Sequence, residues 1–170
     1  MLTHHSYRPV ALFATIGATL GATVMSTVAP PPVEAAPAKI AWQTSLPAAL
    51  QMAKRTGKPV MVDFYATWCG PCKLLDKEVY TNADVVKEAK KWISVKIDAD
   101  KNPALVEKYK VTGFPTLTFI KPDGSIMKTQ AGLAVPENQQ KSMKQVVAYL
   151  RQDMIRTLRS LRTQANVRRA

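Results

Sequence analysis

Apolar side chains recur along this chain in two rhythms, one spaced three to four residues apart and one of short unbroken runs. The alternation of the two is the pattern of an α/β domain with a mixed sheet. Leu46, Ala49, Leu50 and Ala53 share one face of a helix predicted from Leu46 to about Thr56, with Ser45 to cap it and Gly57 to end it. Pro59 then opens the run Val60-Met61-Val62-Asp63-Phe64-Tyr65-Ala66, short and β-rich enough for a buried strand. A helix is expected to begin in the segment Cys69-Gly70-Pro71-Cys72, and Asn82 is placed to cap another containing Val85, Val86 and Ala89. Ile93 to Ile97 reads as the next buried strand, and Asn102-Pro103 as the start of a helix through Tyr109. Thr116 to Ile120 is a strand, Pro122-Asp123-Gly124 a turn, and Ser125 to Thr129 its hairpin partner. From Glu137 the spacing is helical to about Arg162, and no internal repeat is visible.

Ahead of this domain the pattern changes. Val10 to Ala29 carries no charge and is preceded by Arg8, the layout of an export signal. Small-x-small sites at Val33-Glu34-Ala35 and Ala36-Pro37-Ala38 suit cleavage, yet the run is also long enough for a retained anchor, rich though it is in Gly, Thr and Ser. Both readings put the domain outside the cytoplasm, in the periplasm or its equivalent. The expected division is residues 1–29 as signal or anchor, 30–40 as a stiff Pro/Ala-rich linker, 41–150 as the domain, and 151–170 as a basic helical extension.

Charge changes the picture less than its total suggests. The net charge is +12, but residues 141–170 hold eight basic side chains against Asp153, a net of +7. Such a tail alone is a poor sign of nucleic-acid binding, and no zinc-finger spacing or RNA-binding aromatic motif accompanies it. Met143, Val147, Leu150, Met154, Leu158 and Leu161 recur at helical spacing among arginines. The segment is therefore either the last helix of the domain with a solvated continuation, or a surface that docks on anionic lipid or a partner.

The chemistry centres on the two cysteines, Cys69 and Cys72. A structural zinc wants four ligands, and the only histidines, His4 and His5, precede the uncharged run, so no metal site is expected. As a structural staple, so short a loop would contribute little. The redox reading explains more. At a helix start, unpaired backbone N–H groups and the helix dipole favour a thiolate at Cys69, while Cys72 sits one turn on, near enough to resolve a mixed disulfide. Gly70 permits the close turn, and Pro71 stiffens the loop where a helix tolerates proline. Asp63 lies inside an apolar strand. It is either an edge carboxylate facing water or a buried acid of raised pKa that relays the proton of Cys72. Lys96, on the neighbouring strand, either tunes that carboxylate or extends into solvent.

VDFYATWCGPCK, the KID segment around Lys96 and the downstream GFPT (Gly113 to Thr116) together resemble the thioredoxin family, in order and over roughly residues 42–130 with part of the last helix. The resemblance implies the thioredoxin fold, a central mixed sheet flanked by helices. It implies Cys69 as nucleophile, Cys72 as resolving thiol, Asp63 as the buried acid, and Trp68 as a shield over the pair. It also implies a cis Pro115 beside the site, with Gly113 and Phe114 in the substrate-binding loop. The longer stretch GKPVMVDFYATWCGPCKLLDKEVYTNADVV is similar to one branch, the periplasmic thioredoxin-like domains of transmembrane thiol:disulfide interchange reductases. Gly70-Pro71 departs from residues common in that branch and is instead the reducing thioredoxin pair.

The function expected is that of an exported thiol–disulfide oxidoreductase acting mainly as a reductant on protein disulfides. The cysteine pair carries the electrons without a bound cofactor, an upstream thiol protein supplies them, and membrane association runs through residues 10–29 and the basic C-terminal helix. The alternatives are an oxidase or isomerase, and a non-catalytic binding or assembly module on the same fold.

Overall fold

A computed structural model describes residues 39–167. The expected export segment and most of the linker, residues 1–38, lie outside the described residues. Five strands form one sheet: β1 (Trp42–Gln43), β2 (Val60–Tyr65), β3 (Ile93–Asp98), β4 (Thr116–Ile120) and β5 (Ile126–Ala131). Their spatial order is β1-β3-β2-β4-β5. The strands β1, β3 and β2 run parallel, and β4 and β5 are antiparallel additions, so the sheet is mixed as expected. The two-residue β1 was not legible in the apolar pattern, because it contributes only Trp42 and Gln43 opposite Ser94 and Val95.

Helices cover both faces. The helix α1 (Leu46–Thr56) starts where the Ser45 side chain accepts from the Ala48 N–H at 3.4 Å, and it ends where Gly57 adopts φ 71° and donates back to Ala53. Leu46, Ala49 and Ala53 pack on Val60, Val62 and Phe64 of β2 and on Ile93, Val95 and Ile97 of β3. The strand β2 is therefore apolar on both faces because it is central and covered on both. The opposite face carries Met61, Leu117 and Phe119. It is covered by α2 (Gly70–Leu74) with the π-turn Leu75–Val79 that continues it, by α3 (Ala83–Ala89), and by α5 (Met143–Val167). The short helix α4 (Pro103–Lys108) precedes the turn that leads into β4.

The C-terminal segment differs from expectation in two ways. Helix was expected from Glu137, but Glu137–Gln139 forms only a 3₁₀ turn, and α5 begins at Met143, where the Ser142 hydroxyl accepts from the Gln145 N–H at 3.3 Å. Nor is the stretch after residue 150 a solvated continuation. Met154, Ile155, Leu158, Leu161 and Ala165 are all buried, and Leu158 has no exposed surface. The physical reason is a two-sided helix: its apolar stripe completes the core against Val85, Val86, Ala89 and Trp92, and its arginines occupy the remaining faces. Two arginines also fasten the helix: Arg151 Nε donates to the Glu78 carbonyl at 2.7 Å, and Arg159 Nε donates to the buried Glu88 Oε1 at 3.0 Å, while Lys91 Nζ donates to Glu88 Oε2 at 2.8 Å. Among the described residues no helix is long and apolar enough to cross a membrane.

Leu158→Ala is expected to lower unfolding stability by about 2–5 kcal/mol, the range for a truncated core leucine. Denaturant titration of the full chain checks this, and a loss near zero would return α5 to the solvated reading. Burial opposes the charge on Glu88, but the hydrogen bonds from Lys91 and Arg159 outweigh it and hold its carboxyl below the ordinary value. A depressed carboxyl contributes stability that is fully present above its unfolded pKa and is lost as pH falls through the folded one. Glu88→Gln should therefore flatten the acid limb of a stability-against-pH curve below about pH 4.5.

Candidate active site

The site forms where β2 ends and α2 begins. Ala66 accepts the Cys69 N–H at 3.1 Å, turning the chain, and Cys69 takes the N-cap position of α2. Its sulfur accepts the Cys72 backbone N–H at 3.1 Å, the place a serine or aspartate oxygen fills at ordinary helix starts. Pro71 lies in the first turn, where its missing N–H would have had no partner in any case, and Gly70 beside it is exposed. The two sulfurs are joined in a disulfide, with Cα atoms 5.3 Å apart, and both cysteines are nearly buried. Ala66 shares their apolar cluster, with Tyr65 and Phe114 packed against it.

Above the pair, Trp68 is 67 % exposed yet fixed at two points. Its indole N–H donates to Asp100 Oδ2 at 3.1 Å, and its ring meets Phe114 edge-on at 5.8 Å. The Phe114–Pro115 peptide bond is cis, Pro115 is buried, and Gly113 and Phe114 are half-buried. The Thr116 hydroxyl donates to the Gly113 carbonyl at 2.6 Å and the Gly132 N–H donates to the Pro115 carbonyl at 2.7 Å, so the loop is tied at both ends.

Below lies the acid. Asp63 sits in the central strand, paired in register with Lys96 of β3 and Leu117 of β4, and is 1 % exposed, the buried alternative of its two readings. Burial pushes its carboxyl up to about 7, against the opposing pull of Lys96 and a hydrogen bond from Tyr80. The Tyr80 hydroxyl donates to Oδ2 at 3.1 Å, and Oδ1 is buried with no protein donor among the described residues. Lys96 is neither deeply buried nor freely solvated. Its ammonium pairs with Asp76, and lies 4.8 Å from the centre of the Tyr65 ring, 5.6 Å from Trp42 and 5.7 Å from Tyr80.

The fold thus gathers Trp68, Cys69, Cys72 and Phe114 in one shell and Asp63 with Lys96 in another. Asp76, Tyr80 and Asp100 also belong to the arrangement, and sequence reasoning missed them. For Asp76 and Tyr80 the signal was hidden by the π-turn, which breaks the regular helical spacing; for Asp100 it was absent, since an exposed acid in a turn has no pattern. Among the described residues no group of three His, Cys, Asp or Glu side chains gathers to hold a metal. What the arrangement offers chemically is a dithiol with an acid of near-neutral pKa in the strand that leads into it.

Comparison with known proteins points the same way. The Thioredoxin family profile matches residues 47–148. Over 86 residues the chain is 41% identical to Thioredoxin Y2, chloroplastic, of Arabidopsis thaliana, a match covering 51% of this chain and 49% of the plant protein. It is 36% identical over 88 residues to a thioredoxin of Mycoplasmoides gallisepticum, covering 52% of this chain and 83% of that one. The chain therefore spans about half the length of the plant relative and most of the mycoplasmal one. Among solved structures, the disulphide isomerase from Xylella fastidiosa Temecula1 superposes at a TM-score of 0.50 and 29% identity, over 63% of this chain and 86% of its own. A structure described as DsbH oxidoreductase superposes at a TM-score of 0.52 over 72% and 92%, and at 24% identity it bears on the fold alone.

A raised carboxyl binds a proton in the folded state that the unfolded chain has already lost, so stability falls as pH rises from about 4 to about 7 and is level beyond. Asp63→Asn should abolish that slope, leaving the variant more stable than the parent at pH 8 by about 4 kcal/mol and little changed at pH 4. Denaturant midpoints at both pH values check it.

Proposed function

We propose, because the chain belongs to the thioredoxin family, that it is a thiol–disulfide oxidoreductase working mainly as a reductant of protein disulfides. The observation that carries the reading is the Cys69 sulfur at the start of α2, accepting a backbone N–H, with Cys72 within bonding reach. In the reduced protein, the Cys69 thiolate attacks one sulfur of a substrate disulfide. The Cys69–substrate bond forms, the substrate bond breaks, and the departing thiolate takes a proton. Cys72 then gives its proton to Asp63 and attacks the Cys69 sulfur, releasing the second substrate thiolate and leaving the Cys69–Cys72 disulfide. Two electrons have passed to substrate, and an upstream dithiol protein restores the pair. No bound cofactor is needed.

The remaining roles follow from position. Trp68 and Phe114 form the rim the substrate chain meets, and the Gly113-Phe114-Pro115 loop offers it backbone. Lys96, held by Asp76 and ringed by aromatic side chains, keeps a positive charge beside the strand that carries Asp63. Work outside the cytoplasm is supported by the uncharged run Val10 to Ala29 behind Arg8. Membrane association is assigned to residues 10–29 and to the outward basic side chains of α5, since the helix's apolar stripe packs in the core.

A second reading, disulfide isomerase or oxidase, is favoured by the likeness to the Xylella protein and by the oxidising compartment such a leader would reach. Equilibration with a glutathione buffer separates the two. The reductant reading expects the Cys69–Cys72 disulfide to persist at glutathione ratios that reduce an oxidase, and ready reduction there would overturn it.

Cys72→Ser is expected to trap substrate proteins as Cys69 mixed disulfides that dissolve on adding reductant, whereas Cys69→Ser traps none. Non-reducing electrophoresis reads the result, and an absence of adducts from Cys72→Ser would remove the proposed cycle.

A further inference from the structure

The Tyr80 side chain meets both Asp63 and Lys96. Its hydroxyl donates to Asp63 Oδ2 at 3.1 Å, its ring lies 5.7 Å from the Lys96 ammonium, and it is itself buried. It stands against Trp42 edge-on at 5.0 Å, which fixes the ring plane. Its backbone placement is equally specific. The Tyr80 N–H donates to the Leu75 carbonyl at 2.9 Å, five residues back, closing the π-turn Leu75–Val79. In an unbroken α-helix the residue about seven places after Cys72 would return to its face. The wider turn delays that return by one residue. π-turns of this kind recur at functional sites.

Resting on the reductase reading above, we propose that Tyr80 is a positioning residue for the resolving step: its hydroxyl, aimed by the π-turn, holds Oδ2 of Asp63 and leaves Oδ1 as the oxygen that receives the proton of Cys72. The phenol can play this part throughout the cycle because it does not itself give up a proton. Burial, with the Asp63 charge adding to it, holds its pKa well above the ordinary 10. Other groups reach Asp63 as well. Lys96 faces it from β3 and favours its ionised form, Asp76 in the π-turn opposes that form, and β4 sets only Leu117 opposite. Tyr80 differs from these in making the direct hydrogen bond. The step balances without any further reactant. The S–H bond of Cys72 breaks, an O–H bond forms on Asp63, and the freed electron pair on sulfur makes the Cys69–Cys72 bond as the substrate thiolate leaves.

The test is stopped-flow reaction of the reduced full chain with a chromogenic aryl disulfide, in which the first thiolate released reports attack by Cys69 and the second reports resolution by Cys72. In Tyr80→Phe the acid limb of the second phase is expected to move to higher pH by about one unit, with the first phase unmoved. Placing 3-fluorotyrosine at position 80, a stronger donor of nearly the same shape, is expected to move it the other way, and this variant serves should the Phe variant fold poorly. In an Asp63→Asn background neither replacement should shift the profile. A second-phase profile that superimposes on the parent's in both variants, or a shift that persists without Asp63, overturns the proposal while leaving the reductase reading intact. A parent protein that shows no first phase at all overturns that reading, and this inference with it.

Discussion

One hydrogen bond organises this molecule's chemistry: the Cys72 backbone N–H directed at the Cys69 sulfur. A sulfur in that position replaces the oxygen that ordinarily caps a helix, so in the proposed cycle the same contact that begins α2 would stabilise negative charge on a reduced Cys69. Local sequence makes this possible. The turn at Ala66 ends β2, Gly70 and Pro71 fit the first helical turn, and Cys72 falls one turn further on. The surrounding apolar cluster of Ala66, Tyr65 and Phe114 leaves little water around the pair and strengthens that contact.

The second constraint is an acid in the wrong place for stability. A carboxylate in a central strand costs folding free energy at neutral pH, and nothing in the packing of β2 requires it. Its neighbours partly offset the cost: Tyr80 donates one hydrogen bond, and Lys96 supplies positive charge while pairing with Asp76. The balance leaves Asp63 near the middle of its titration at physiological pH, the condition in which a group both accepts and returns a proton readily. In the proposed cycle, stability lost at this strand position is linked to the proton that Cys72 gives up at the adjoining helix. The core can bear this because α5 extends it well beyond residue 150, clasped to α3 through Glu88 and Arg159.

Much of this was legible in the residues. The sheet, α1 with its Ser45 and Gly57 ends, and the start of α2 at the cysteines each follow from local rules that tertiary packing reinforces. The failures are equally local. Strand β1 is too short to show a period. Helix was expected from Glu137 because polar residues of good propensity do not reveal a 3₁₀ turn, and Ser142 was not recognised as the cap. Arginines interleaved with the apolar stripe past residue 150 suggested a solvated helix, although its buried leucines meet Trp92 and α3. At the site, Cys69, Cys72 and Asp63 announce themselves through chemistry that is out of place in its segment. Asp76 and Tyr80 do not, because the π-turn that aims them leaves no mark in a pattern read at 3.6 residues per turn.

The capped sulfur is tested most directly by titrating Cys69 in the reduced protein, following the pH dependence of its alkylation in a Cys72→Ser background. If α2 stabilises the thiolate, the midpoint lies clearly below the value of about 8.5 shown by an unperturbed cysteine. A midpoint at or above that value would contradict the account.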